Sequence, residues 1–151
     1  MLLAEALAQR AEAQDRLNQV TGRLHRVARI QEGDQPDEDP TKLLTEADAL
    51  MQQIEDLVRR INATNSATPF DETHSLTSAL ALRDSLLRKR RFYAGLADAA
   101  GARQDRYSRA EIRYVSTLDV AALRSRADDF AKQFRAIDTR IQQLNWNTEL
   151  L

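Results

Sequence analysis

Residues 119–145, DVAALRSRADDFAKQFRAIDTRIQQLN, carry the most regular pattern in the chain. Apolar residues recur there at alternating spacings of three and four, and charged residues fill the positions between them. The apolar positions are Val120, Leu123, Ala127, Phe130, Phe134, Ile137, Ile141 and Leu144. This pattern predicts an amphipathic helix about 38 Å long, with Asp119 as its N-cap, whose apolar stripe must be covered by other helices.

Three further segments show helical periodicity, so the chain is expected to hold four helices. They are predicted at about residues 2–31, 40–65, 77–100 and 119–145. Asp39 followed by Pro40 is a typical N-cap with proline at the first helical position. The expected fold class is mainly all-α, an antiparallel helical bundle or long helical hairpins of four helices, in a single helical domain spanning residues 1–151.

The connections between these helices carry the remaining structural signals. Gly33 and Gly101 are each expected to follow the C-terminus of a helix. A small β element is predicted near residues 66–76 and 111–117, where turn-forming and β-branched residues collect. Within the first of these two segments, an irregular loop is the alternative.

The composition argues against several classes of function. The absence of cysteine excludes disulfides, thiolate nucleophiles and cysteine-ligated metals. The only two histidines, His25 and His74, lack metal-binding neighbours at suitable spacing, so no metal and no cofactor is predicted. No nucleophile elbow or glycine-rich phosphate loop is present, and the protein is therefore not expected to be an enzyme. No signal peptide or membrane-spanning run is recognised, so a cytoplasmic location is expected.

Charge is distributed unevenly along the chain although the net charge is −1. Residues 32–56 hold one lysine against nine acidic residues, and residues 83–113 hold nine basic residues against four acidic ones. The run Arg88-Lys89-Arg90-Arg91 has two interpretations. It is a solvated patch paired with the acidic second helix, or, with Arg103, Arg106, Tyr107, Arg109 and Arg113, it contacts phosphates in a nucleic-acid-binding module that uses residues 83–113.

Several polar residues lie where apolar ones are expected, or cluster unusually. Arg10 interrupts the apolar stripe of the first helix, and a buried guanidinium needs a partner such as Glu46 or Asp84. These residues form either a polar layer that sets the helix register or a site for a small anion. The full candidate set comprises Arg10, Asn62, Asn65, Arg83, Asp84, Arg103, Arg106 and Tyr107.

The helices carry more apolar residues than a monomeric bundle of this size needs. A contiguous exposed apolar surface usually marks an interface, and symmetric self-association is the commonest way to cover one. The sequence therefore predicts a homo-oligomer. The candidate interface residues are Leu44, Met51, Val58, Leu80, Leu87, Trp146, Leu150 and Leu151.

Short motifs distributed along nearly the whole chain resemble a family of small bacterial proteins. They include Leu3-Ala4-Glu5-Ala6-Leu7, Ile61-Asn62 with Thr64-Asn65-Ser66, Arg103-Gln104-Asp105-Arg106-Tyr107-Ser108-Arg109, and Leu144-Asn145-Trp146. Members of that family are of unknown function, and some are labelled septicolysin. The resemblance implies a mainly helical domain. The expected function is that of a non-enzymatic binding or structural protein; the alternatives are the nucleic-acid-binding module and a membrane-active cytolysin of septicolysin type.

Overall fold

The computed structural model describes residues 1–102 and 112–151. Within them the chain forms four α-helices, and the predicted all-α fold is confirmed. The helices are α1 (Leu3–Val27), α2 (Pro40–Ala67), α3 (Leu76–Ala100) and α4 (Val120–Asn147). The chain divides into two compact units: unit 1 is Met1–Ser75 with Gln142–Leu151, and unit 2 is Leu76–Ile141. A single domain spanning the whole chain stays a prediction.

The predicted N-caps of α2 and α4 are confirmed. Asp39 Oδ1 accepts a hydrogen bond from the Thr41 N–H at 2.9 Å, and Pro40 occupies the first helical position. Asp119 Oδ1 accepts from the Ala122 N–H at 3.1 Å. Each cap satisfies a backbone donor that the first helical turn leaves without an intrahelical partner.

The stripe on α4 is also confirmed. All eight of its predicted apolar positions are buried or half-buried, with Ile141 only 1% exposed. Of the charged residues between them, only Asp138 is half-buried and the rest are exposed. The spacing of apolar residues therefore sets the buried side of this helix.

Unit 1 is built on the first hairpin, α1 packed against α2. Its core contains small and branched aliphatic residues: Ala13, Val20, Val27, Leu43, Ala47 and Leu50, with Leu17, Leu24 and Ile54 partly buried beside them. Arg16 pairs with Glu46 at 2.8 Å, and Arg23 pairs with Glu38. Arg16 thus pairs with α2 itself, whereas Arg23, nearer the end of α1, pairs with the segment that precedes α2, so the two helices are antiparallel.

The segment after α4 packs within unit 1. The Leu3 N–H donates to the Thr148 carbonyl at 2.9 Å, and the Leu150 N–H donates to the Met1 carbonyl at 2.8 Å. Farther along α2, the Leu151 N–H donates to Thr64 Oγ1 at 3.0 Å. These bonds fix both ends of the described chain to the first hairpin.

Unit 2 contains the second hairpin, α3 with residues 120–141 of α4. Arg83 Nη1 lies 3.1 Å from Asp138 Oδ1, and Arg124 Nη1 lies 3.2 Å from Asp98 Oδ1. Between these ion pairs the Tyr93 ring stacks on Phe130, with centroids 5.7 Å apart. The order of the contacts shows that these helices are antiparallel as well.

The end of α1 differs from the prediction. The helix ends at Val27, and Gly33 lies beyond it in a turn in which the Asp34 N–H donates to the Gln31 carbonyl at 3.0 Å. Gly33 has φ +90°, a conformation that glycine adopts without strain. Because α2 begins only at Pro40, no part of it covers another turn of α1, and Ile30 is 51% exposed.

The predicted β element is reduced to one bridge within the described residues. Ser66 and Ala67 complete α2, and residues 68–75 form a loop with a single antiparallel bridge between Pro69 and Ser75. Residues 112–117 form no strand, and Glu111 lies outside the described residues. In the described part of the chain no other segment forms a strand beside these residues, and Val115 is 79% exposed.

Candidate functional site

One side of the first hairpin carries exposed apolar residues, and we call it the apolar side. Leu44 and Met51 lie one heptad apart on α2 and are 54% and 48% exposed. Val58, one heptad farther on, is half-buried. Met51 also lines a groove of about 430 Å³ between the two helices. The other residues of this groove are Gln14, Asp15, Leu17, Asn18 and Ile54.

The opposite side of the same hairpin is charged. Arg23 Nε donates to both carboxylate oxygens of Glu38 at 3.0 Å, and Arg16 Nε donates to Glu46 Oε1 at 2.9 Å. The hydrogen bonds that Arg23 donates to Glu38 lower the pKa of Glu38 below its usual value and raise the pKa of Arg23. Helical geometry places Glu46 and Met51 on opposite flanks of the buried stripe of α2. The hairpin therefore has one flank lined by ion pairs and one apolar flank.

The other candidate interface residues lie in different surroundings. Leu80 and Leu87 of α3 are half-buried. Trp146 and Leu151 are 61% and 64% exposed. Leu150 is only 9% exposed, so its side chain is largely covered by this chain itself.

The described members of the candidate polar site divide between the two units. Asn62 is exposed and Asn65 half-buried in unit 1, where Arg10 is also half-buried. The Nε of Arg10 is buried and has no hydrogen-bond partner among the described residues. Its predicted partner Glu46 is paired with Arg16 instead. Arg10 thus places an unsatisfied donor in the apolar stripe of α1.

In unit 2, the polar candidates form ordinary ion pairs. Arg83 donates to Asp138 at 3.1 Å and lies 3.4 Å from Asp84. Three further members of the candidate set, Arg103, Arg106 and Tyr107, lie outside the described residues, as does Arg109. An anion site that uses the whole set stays a prediction.

The basic run on α3 is exposed. Arg88, Lys89, Arg90 and Arg91 all lie at the surface, and none of them has a carboxylate within ion-pair distance among the described residues. Arg88 and Arg91 line a concavity of about 280 Å³ together with Asp84 and Leu87. The next residue, Phe92, is 62% exposed.

The loop of residues 68–75 holds a carboxylate whose pKa is strongly lowered. Asp71 Oδ1 accepts hydrogen bonds from the Thr73 N–H at 2.9 Å and the His74 N–H at 2.7 Å. These bonds, that from Thr73 above all, together with the side chain of His74, lower the pKa of Asp71 to about 2. The carboxylate acts as an acceptor that orders the loop.

This loop does not have the geometry of a catalytic triad. Thr73 Oγ1 and Asp71 Oδ1 both contact the same ring nitrogen, Nδ1 of His74, at 3.0 and 2.9 Å. A catalytic histidine bridges its nucleophile and its carboxylate through different nitrogens. Across residues 1–102 and 112–151, no group of three potential metal-ligating side chains is found either.

Sequence reasoning missed part of each exposed surface. Leu17 and Ile54 are not among the predicted interface residues, yet they line the groove beside Met51. Phe92 is not among the predicted site residues, although it is 62% exposed. The available signal was the helical position of each residue, since Leu17 and Met51 both lie at the edge of a stripe.

Comparison with known proteins places the chain among proteins without an assigned activity. Across the described ranges, no helix is long and apolar enough to cross a membrane. The search of curated proteins gave no match. The chain is similar to a solved structure described as a functionally unknown conserved protein from Corynebacterium diphtheriae. The two are 55% identical with a TM-score of 0.95, over 100% of this chain and 99% of that one.

A protein-family model matches residues 10–150, and its description contains no septicolysin label. The cytolysin alternative therefore gains no support from the comparisons. The match extends over most of the chain and includes parts of all four helices. The chain belongs to the Family of unknown function (DUF6847).

Proposed function

We propose that this protein acts by binding rather than by catalysis, and that a second copy of the chain binds the apolar side of the first hairpin. The observation that carries the proposal is the exposure of Leu44 and Met51 beside the groove that contains Leu17. Covering these side chains would remove apolar surface from water, which is the main favourable term in association. The ion pairs on the other flank leave that side without a comparable apolar surface.

The polar residues around the groove support a second copy as the partner. Gln14 and Asn18 border the groove on α1, and exposed Asp48 and Glu55 follow the apolar residues of α2. A two-fold axis parallel to the hairpin places α1 of one copy on α2 of the other. Amide groups then face carboxylates, to which they donate hydrogen bonds.

The same arrangement matches apolar residues in register. Leu17 and Met51 line one groove, so they lie at one level of the hairpin. Gln14 lies before Leu17 and Glu55 after Met51, so in antiparallel helices these two residues also share a level. Leu17 of each copy thus contacts Met51 of the other copy, so the two-fold axis generates this contact twice.

Sedimentation velocity over a dilution series tests the proposal. The unmodified chain should sediment at twice the chain mass when concentrated and dissociate on dilution. Met51→Lys should sediment as a single chain, because it would leave an unpaired charge in the contact. Gln52→Lys adds the same charge to the adjacent, outward-facing exposed position and should still associate. Circular dichroism checks that both variants keep their helix content.

The result that contradicts the proposal is a single-chain mass for the unmodified protein at every concentration up to its solubility limit. Equal loss of association in Met51→Lys and Gln52→Lys would also contradict it. That outcome would show that added charge, rather than the apolar side of the hairpin, controls assembly.

A further inference from the structure

Three residues on α3 form one exposed surface, which we call the basic face. Arg88, Arg91 and Phe92 are spaced so that they lie on the same side of the helix. All three are exposed, and Phe92 is 62% exposed. Arg88 and Arg91 line the concavity of about 280 Å³ on this helix.

The two arginines of the basic face have no ion-pair partner among the residues that the structure describes. Asp84 lines the same concavity, but its ion-pair partner is Arg83, at 3.4 Å, which also pairs with Asp138 at 3.1 Å. Two other arginines of unit 2 are engaged: Arg124 pairs with Asp98, and Arg126 lies over the Tyr93 ring.

Phe92 is exposed but held in place by its neighbours. Its ring packs edge-to-face on Tyr93, with centroids 5.1 Å apart and planes at 89°. Tyr93 in turn stacks on Phe130 of α4. An aromatic side chain supported in this way keeps its position while most of its surface faces solvent, so that little conformational entropy is lost when it stacks on a ligand.

We propose that the basic face binds single-stranded nucleic acid. Arg88 and Arg91 contact two phosphates, since the planar guanidinium donates two parallel hydrogen bonds to phosphate oxygens. Phe92 stacks on an unpaired base. A duplex does not fit this role, because stacking within it covers the faces of its bases. The inference goes beyond the proposed self-association and does not depend on it, because it uses only residues of α3.

Fluorescence anisotropy of labelled oligouridylate and oligodeoxythymidylate with the full chain tests the proposal. For single strands, log K falls by about 0.7 per log unit of salt for each phosphate contacted, so two contacts give a slope of about −1.4. The double variant Arg88→Gln/Arg91→Gln should lose that slope and most of the low-salt affinity. Phe92→Leu should weaken binding roughly tenfold with the slope unchanged, because stacking does not depend on counterions.

Arg26→Gln/Arg29→Gln is the matched control, because it removes the same charge from exposed positions in unit 1. It should bind like the unmodified chain, and circular dichroism should show all variants folded. The RNA and DNA arms show whether the 2′-hydroxyl contributes.

Three outcomes would overturn the proposal. The first is no binding of either oligonucleotide at low salt. The second is equal loss of affinity in the control and in Arg88→Gln/Arg91→Gln. The third is that a duplex or an acidic peptide of equal charge binds as tightly as the single strands, with an affinity that Phe92→Leu does not change. That result would show that the basic face binds anions in general or an acidic protein.

Discussion

The two hairpins have the same antiparallel arrangement but are held together by different side chains. In the first, small and branched aliphatic residues such as Ala13, Val20 and Ala47 form the core, and ion pairs line one flank. In the second, stacked Tyr93 and Phe130 lie between two ion pairs. The comparison shows that the apolar stripes determine which sides of the helices pack together in each hairpin. The residues beside the stripes determine the exposed surface, which is apolar on the first hairpin and cationic on the second.

The largest expected effect concerns the aliphatic core of the first hairpin. Leu50 is 7% exposed, so Leu50→Ala should lower the free energy of unfolding by about 2–5 kcal/mol through lost burial and a residual cavity. Leu44→Ala, on the same helix but at an exposed position, should change it by less than about 0.5 kcal/mol in the single chain. Urea denaturation at concentrations low enough to keep chains apart measures both. Similar values for the two variants would contradict the assigned sides of α2.

The second hairpin should respond to loss of aromatic contacts. Tyr93→Leu keeps an apolar side chain but removes the stack with Phe130 and the contact with Arg126, whose guanidinium carbon lies 4.1 Å from the ring centroid. The free energy of unfolding should fall by about 1–2 kcal/mol. A double-mutant cycle with Arg126→Met should give a coupling of about 0.5–1 kcal/mol, because Arg126 is exposed. No coupling would mean that the cation does not contribute.

A smaller effect of opposite sign is expected at Arg10 in the first hairpin. Arg10→Met removes a buried donor that has no partner in the described part of the chain and completes the apolar stripe. The free energy of unfolding should rise by about 1 kcal/mol. Arg10→Ala should raise the free energy of unfolding by less, because the shorter side chain leaves a cavity. A loss of several kcal/mol in Arg10→Met, measured by urea denaturation, would instead show that the guanidinium has a partner.

The smallest effect concerns the pH dependence of the loop that follows the first hairpin. The pKa of Asp71 is lowered to about 2, mainly by the hydrogen bond from the Thr73 N–H. A lowered folded-state pKa stabilises the fold above the unfolded value near 4, and this contribution is lost as the pH falls toward 2. Asp71→Asn should therefore reduce the stability difference between pH 5 and pH 2. An Asp71 carboxyl that titrates near 4 by NMR would contradict the loop geometry.

The sequence predicts the interior of each hairpin better than its surface. The stripe of α4 and the cap at Asp39 follow from local spacing and side-chain chemistry, and both are present. The sequence also predicts Leu44 and Met51 as interface residues, but it does not predict the groove that Met51 shares with Leu17, because the pattern on one helix does not show which part of the other helix lies beside it. The ion pair between Arg23 and Glu38 could not be predicted either, because Glu38 lies in a connecting segment without helical periodicity.

Two local signals were misleading for related reasons. Residues 112–117 are rich in β-branched and aromatic residues, but a strand exists only when another segment pairs with it. Gly33 was expected at the end of α1, yet it serves a turn farther along the chain. In both cases the residues have the conformational preference that their type indicates, but the surrounding structure determines which element they form.

The central claim is tested most directly by measuring whether a second copy protects the apolar side from chemical modification. The chain has no cysteine, so Met51→Cys and Gln52→Cys each provide a unique thiol on adjacent, exposed positions. The rate of modification by a small thiol reagent is measured as the protein concentration increases. Self-association through the apolar side predicts that the thiol of Met51→Cys reacts more slowly at high concentration, while that of Gln52→Cys is unaffected. Concentration-independent rates for both thiols would contradict the account.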